Sequence, residues 1–150
     1  MQCYCGLDHS YSLCCEKYIK GSAVAPSAVA LMRSRYSAYC VNDFDYILRT
    51  MLPPASLNFN LQQAKQDAVH INWLKLAILS SKETNSIAKV EFVAEYAILD
   101  KKFFLYEVSD FKKSNDKWFY TKGSHPKFDR NAKCWCQSNK KFKICCAQKS

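Results

Sequence analysis

The feature that most constrains this chain is a pattern written twice, once towards each end. Cys3-Tyr4-Cys5 is followed by eight residues and then Cys14-Cys15; Cys134-Trp135-Cys136 is followed by eight residues and then Cys145-Cys146. Shifted by 131 positions, the two sets of four cysteines coincide. So do an aromatic inside the first pair (Tyr4, Trp135), a second aromatic (Tyr11, Phe142) and an aliphatic before the last pair (Leu13, Ile144). Agreement at this many chemically distinct positions marks an internal repeat of 13 residues. A loop of that size has almost no apolar core of its own, so its cysteines must supply what burial cannot.

How they supply it depends on the redox surroundings. No basic segment followed by an apolar one opens the chain at Met1-Gln2-Cys3-Tyr4-Cys5, so a cytoplasmic, reducing location is expected. No apolar run approaches the roughly 20 residues that span a bilayer. Under reducing conditions nine cysteines read as metal ligands or reactive groups before they read as disulfides. Tetrahedral zinc, with sulfurs about 2.3 Å from the ion, needs four of them roughly 3.8 Å apart. A Cys-x-Cys bend places two, and an eight-residue excursion returns the adjacent Cys-Cys pair to the other side. The expectation is therefore two structural Zn²⁺ ions, one on Cys3, Cys5, Cys14 and Cys15, the other on Cys134, Cys136, Cys145 and Cys146. Four protein ligands leave no open position for substrate. Metal would supply each loop's fold, about 10–16 kcal/mol apparent. Ferredoxin spacings and the Cys-x-x-Cys of thiol-redox centres match less well. Cys40 stands apart as a small core hydrophobe. His9 lies within the first loop, His70 near a helix end and His125 before Pro126, and none is needed as a ligand.

Between the repeats the pattern changes from helical to extended. Ala25-Pro26-Ser27 reads as a helix start with Ser27 as N-cap. From Ala28 to about Leu52 apolar residues recur at spacings of three and four, with Asn42-Asp43 as a point of division and Pro53-Pro54 as the stop. Residues 60–70 suggest a shorter helix. Trp73–Leu79 then reads as a strand and Lys82–Ser86 as a polar turn. Ile87–Leu99, Phe103–Phe111 and Lys117–Thr121 follow as antiparallel strands joined by short polar turns. Helices first and strands afterwards predict an α+β domain over 23–124, flanked by cysteine motifs at 1–22 and 125–150. With 49% hydrophobic and 14% aromatic residues in 150, one domain with a real core is expected, and disorder is not.

The Cys-x-Cys, eight residues, Cys-Cys pattern resembles the SEC-C motif, the zinc-binding tail of the translocase ATPase SecA. That tail usually carries Gly-Ser-Gly after the second cysteine, where this chain has Gly6-Leu7-Asp8 and Gln137-Ser138-Asn139. The stretch from Ala25 to Tyr39 is similar to a signature of the bacterial YchJ family, as are Trp73–Leu76, Val90–Tyr96 and Trp118–Tyr120. The resemblance spans nearly the whole chain. It implies a nuclear transport factor 2-like cone, helices packed on a curved antiparallel sheet, with a SEC-C zinc knuckle at each end. Where the family commonly has His-Glu-Arg-Ser-Arg-Phe, this chain has Tyr106-Glu107-Val108-Ser109-Asp110-Phe111, so chemistry that needs those basic groups is not carried over. The resemblance brings no established biochemical role with it.

Three functional readings follow. In the first, the knuckles present Tyr4, Trp135 and the lysines Lys133, Lys140, Lys141 and Lys143 to a protein or ribosomal partner, as the SecA tail implies. Its bland counterpart is that the two aromatics only pack each knuckle onto the central domain. In the second, the cone encloses a ligand or an active site, with Arg33, Arg35, Tyr36, Glu107 and Asp110 as candidates. Arg33 and Arg35 face different sides of a helix, so one pairs with a carboxylate such as Glu91 or Glu107 and the other is solvated. No nucleophile–base pair is legible, which disfavours catalysis. In the third, Lys141-Phe142-Lys143 contacts a nucleic acid by charge and stacking. The formal charge of +9 invites that reading, but eight thiolates against two dications remove four charges and leave a modest +5. No oligomeric state is implied.

Overall fold

The structure, a computed structural model, describes residues 1–148, so the last two residues of the expected C-terminal motif lie outside it. Five helices come first: α1 (Glu16–Ile19), α2 (Ala28–Cys40), α3 (Phe44–Arg49), α4 (Ala55–Asn58) and α5 (Leu61–Ala68). Four strands follow: β1 (Ile71–Glu83), β2 (Ile87–Ile98), β3 (Lys101–Ser114) and β4 (Lys117–Ser124). They form one antiparallel meander in the order β1-β2-β3-β4. No described helix is long and apolar enough to cross a membrane.

Local chemistry explains the helix boundaries. The Ser27 hydroxyl accepts from the Ala30 amide at 3.1 Å and so caps α2. The Glu83 carboxylate, at the far end of β1, accepts from the Ala28 amide at 2.8 Å, where the helix dipole favours negative charge. Asn42 takes a left-handed φ of 60° that ends α2, and Asp43 then caps α3 by accepting from the Tyr46 amide at 3.0 Å. Asn42-Asp43 therefore divides the helical stretch in two. Asn60 caps α5 through the Gln63 amide at 2.9 Å. The short helices α1 and α4 carry no periodic signal and were not expected from the sequence. Strand β1 also runs past Leu79 into the stretch expected as a turn. Its outer end pairs Lys82 with Lys89 and Glu83 with Ala88, held by backbone bonds rather than apolar burial.

Two tight turns close the meander. Asn115 and Asp116 both have positive φ, 50° and 62°, as a type I′ hairpin requires. Leu99 takes φ 55° in the other. Register shifts in β1 at Trp73/Lys75 and Ile78/Ser80, and between β3 and β4 at Asp110/Phe111, bend the two edges of the sheet. Beyond α3 the chain pairs with β4, the Leu52 amide donating to the Tyr120 carbonyl at 2.9 Å and the Tyr120 amide to Thr50 at 2.9 Å.

The sheet is covered on both faces. On one face Leu76, Val90, Phe92, Ala94 and Phe111 pack with Leu31, Tyr36 and Ile47 of the helices. On the other, Val93 forms a second core with Trp135 and Phe142 of the C-terminal motif, flanked by Leu79, Phe104 and Tyr106. Alternation along each strand makes this possible: residues of opposite parity point to opposite faces.

Candidate metal centres and a cavity in the cone

The two repeats fold alike. In each, the first cysteine's amide closes a small loop, Cys3 onto the His9 carbonyl at 2.9 Å and Cys134 onto Lys140 at 2.8 Å. A 3-10 turn follows, Tyr11–Leu13 and Phe142–Ile144, and delivers the adjacent cysteine pair. Isolated β-bridges recur at the same offset, Gln2 with Ser10 and Lys133 with Lys141. The residue after the second cysteine is left-handed in both, Gly6 at φ 85° and Gln137 at φ 64°.

Each fold gathers four sulfurs. Cys3, Cys5, Cys14 and Cys15 lie with all Sγ atoms within 4.8 Å of one another, as do those of Cys134, Cys136, Cys145 and Cys146. Cys5 and Cys14 are 3.7 Å apart, Cys14 and Cys15 3.9 Å, and Cys136 and Cys145 3.4 Å. Those separations are far above the ~2.05 Å of a disulfide and close to the ~3.8 Å edge of a tetrathiolate around an ion of zinc's size. In each cluster hydrogen bonds hold one thiol below its ordinary range. The hydrogen bond from Cys15 draws Cys5 down to about 5, and the Ser138 hydroxyl draws Cys136 down to about 6. Burial instead pushes Cys14 up to about 12 and raises Cys146, while Cys15 is raised chiefly by its hydrogen bond to Cys5.

The surroundings of the clusters differ. All four sulfurs of the N-terminal set belong to buried residues in the main core beside α2, with Cys3 Sγ 3.9 Å from the Ser37 hydroxyl. Arg33 donates to the Cys5 carbonyl at 2.8 Å and ties the motif to that helix. The C-terminal set sits on the opposite face of the sheet, and its Cys136 and Cys146 are half-exposed. Trp135 is only 7% exposed, wedged against Phe104 (centroids 4.5 Å apart), Phe128 and Phe142, with its indole Nε1 donating to Glu95 at 3.0 Å. It is therefore not offered to a partner, contrary to the first reading. Phe142 is buried too, so it cannot stack on bases. Tyr4, Lys140 and Lys141 remain exposed, and Lys143 is half-buried. The signal for this second core was present in Phe92-Val93-Ala94 and Phe103–Tyr106. Apolar runs of both parities mark a sheet buried on both sides.

Between the helices and the sheet lies a cavity of about 700 Å³. Of the five sequence candidates, Arg35, Tyr36 and Glu107 line it; Arg33 and Asp110 do not. Asp110 points to the opposite face and pairs with Lys89 at 2.5 Å. Arg35 is buried, its Nη1 donating to the Ile47 carbonyl at 2.8 Å and the Thr50 hydroxyl at 2.6 Å, with the Tyr120 ring 4.7 Å from its guanidinium carbon. Neither Arg33 nor Arg35 has a carboxylate within 4.0 Å among the described residues, so the expected ion pair with Glu91 or Glu107 does not form. Glu107 is also buried, and its Oε1 accepts from Ser109 at 2.7 Å and from the Tyr120 hydroxyl at 2.8 Å. Burial, with Glu107 beside it, raises the Tyr120 phenol far above its ordinary range and keeps it a donor. Sequence reasoning missed Thr50, Tyr120 and Gly123, which meet Arg35 and Glu107 only through the fold.

The description "YchJ, middle NTF2-like domain" fits residues 27–123, and the SEC-C motif fits 130–148. The chain belongs to the YchJ family. Its similarity to solved structures agrees. A SEC-C motif containing protein from Rhodopseudomonas palustris, known from a solution structure, shares 33% identity at a TM-score of 0.78, over 85% of this chain and 100% of that one. A crystal structure of a SEC-C motif containing protein from Psychrobacter arcticus shares 26% identity at 0.71, over 99% of this chain and 96% of that one. The nuclear transport factor 2-like fold, with a cysteine cluster at each end, is thus the architecture of this YchJ-family chain. It also locates the departure on β3. Tyr106, Val108 and Asp110, where the resemblance implies an imidazole and two basic groups, share one parity and lie outside the cavity lining. Glu107, Ser109 and Phe111, of the opposite parity, are buried.

Proposed function

We propose that this chain is a zinc-braced ligand-binding protein. Each four-cysteine cluster holds one structural zinc ion, and the cavity of the cone is the working site. The observation that carries the reading is the cavity itself: about 700 Å³, mostly apolar, with one buried cation and one buried carboxyl on its wall. That is the usual make-up of a small-molecule site, apolar surface for affinity and a few polar groups for orientation. The clusters support zinc by ligand number, thiolate chemistry and sulfur spacing.

Metal analysis of protein purified without added zinc should return two zinc ions per chain. One ion would remove a cluster from the proposal, and iron would overturn it. For the cavity, a thermal-shift fragment screen should give hits that disappear when Ala55→Trp fills the wall at α4. Hits that bind both proteins equally would place binding elsewhere.

Docking to a protein partner is the second reading, favoured by the exposure of Tyr4 (37%), Leu13 (74%), Lys140 and Lys141 around the knuckles. A Cys136→Ser variant should then lose partners retained by the parent chain; an unchanged set argues against it.

A further inference from the structure

Two buried residues of opposite charge, Arg35 and Glu107, line the cavity without forming an ion pair. Arg35 is 4% exposed, and both hydrogen bonds of its guanidinium leave from Nη1. Those acceptors, a carbonyl and a hydroxyl, are neutral. A buried cation whose direct partners are dipoles and the face of Tyr120, with the Glu107 charge acting on it only from beyond ion-pair contact, is an expensive arrangement, because desolvation is repaid in full only by an opposite charge in contact. Burial accordingly lowers the Arg35 pKa from its ordinary value.

Glu107 is 7% exposed and lies on the same wall, yet its bonds go to Ser109 and Tyr120 through Oε1 alone. Among the described residues, the cation within 4.0 Å of its Oε2 is His125, whose Nε2 stands 3.9 Å away, beyond hydrogen-bond distance. Tyr120 separates the two charges, its ring over Arg35 and its hydroxyl on Glu107. Much of the rest of the lining, including Met32, Tyr36, Phe59, Trp73 and Leu105, is apolar or aromatic, with Asn58, Thr121 and the exposed Lys122 as its further polar members. One part of this wall thus asks for an anion, its neighbour across Tyr120 for a donor, and the apolar lining around them for hydrocarbon.

Resting on the cavity reading above, we propose that the ligand is an amphipathic carboxylic acid that also bears a hydroxyl or amino group. Its carboxylate pairs with the guanidinium edge that Nη1 leaves open. Its donor reaches Glu107 Oε2, and its aromatic or branched body fills the apolar lining. The guanidinium fork suits a planar carboxylate in particular.

An NMR titration of backbone amides in the intact, metal-loaded chain tests this with three probes: phenyllactate, phenylpropanoate and phenylpropanol. Phenyllactate should shift amides around Arg35, Glu107 and Tyr120 and bind most tightly. Removing its hydroxyl should weaken binding several-fold, and replacing the carboxylate by an alcohol should weaken it at least about tenfold. Arg35→Met should abolish the preference for acid over alcohol, and Glu107→Gln the preference for the hydroxy acid. The comparison among probes in the unmodified chain needs no variant, so it holds even where Arg35→Met fails to fold. Equal affinity for acid and alcohol overturns the carboxylate assignment while leaving the cavity as a site for neutral ligands. Cavity amides that ignore all three probes overturn the ligand class, and if the fragment screen also finds nothing there, the cavity reading falls with it.

Discussion

A Cβ built on Gly123 would stand 2.3 Å from both Glu107 Oε1 and the Tyr120 hydroxyl. Neither atom is the end of a side chain free to swing. Tyr120 is held by its backbone pairing with Thr50 and Leu52, and Glu107 is buried. Gly123→Ala should therefore push the Glu107–Tyr120 hydrogen bond apart and cost about 1–3 kcal/mol as overpacking. The unfolding midpoint in urea should fall, and the preference for hydroxy acids should fall with it. An unchanged midpoint would mean the pair moves freely, which the cavity reading does not allow. At this scale the sequence is legible in part. Residues 33 and 35, two apart on a helix, had to face different ways, but nothing local says which one the sheet covers. The sheet covers Arg35. Glu107 and Asp110, three apart on a strand, fall on opposite faces, so only one of them could reach the cavity. The demand on Gly123 is invisible in the chain because the atoms that impose it belong to another strand and to a folded-back ring.

At the scale of elements, the repeat allows a reciprocal test of backbone strain. Gly6 at φ 85° and Gln137 at φ 64° occupy equivalent places, yet only one is a glycine. A Cβ at Gly6 would find nothing nearer than the Leu76 carbonyl at 3.8 Å, so Gly6→Ala meets strain without a clash. Left-handed backbone costs an ordinary residue about 1–2 kcal/mol. Gly6→Ala should weaken metal retention in the N-terminal motif about fivefold, and Gln137→Gly should strengthen the C-terminal one by a similar factor, both read by competition with a chelator. Equal retention in all forms would show that the ion, not the loop, sets these φ values. The elements themselves were well signalled where chemistry is local. Ser27, Asp43 and Asn60 cap the helices that follow them, and Asn115-Asp116 marks its hairpin turn, whereas the turn before β3 falls on Leu99-Asp100, where an aliphatic residue hides it. The signal failed where pairing is the only support: the outer end of β1 is polar on both faces and reads as a turn until β2 lies beside it.

For the whole molecule, the unequal setting of two similar motifs has a consequence that sequence alone could not suggest. The offset makes the copies look interchangeable, but one is part of the main core beside α2 and the other sits over the far face of the sheet on a small core of its own. Thiols must shed their protons to bind metal, so protons compete with the ion, and release quickens as pH falls. The half-exposed Cys136 and Cys146 give acid and chelator a route that the buried N-terminal sulfurs do not. Release to a chromogenic chelator should therefore run in two phases of equal amplitude, the fast one from the C-terminal site. Cys136→Ser should remove the fast phase and leave the unfolding midpoint of the central domain nearly unchanged. Cys5→Ser should remove the slow phase and lower that midpoint, because an unliganded loop there opens the core around Ile19, Ala28 and Leu31. Ser138→Ala sharpens the test. The Ser138 hydroxyl is the largest cause of the low Cys136 pKa of about 6. Without it the thiol rises, protons win at a higher pH, and the fast phase alone should shift to higher pH. A single phase, or a Ser138→Ala shift shared by both, would mean that the two motifs unload as one unit despite lying on opposite faces of the sheet.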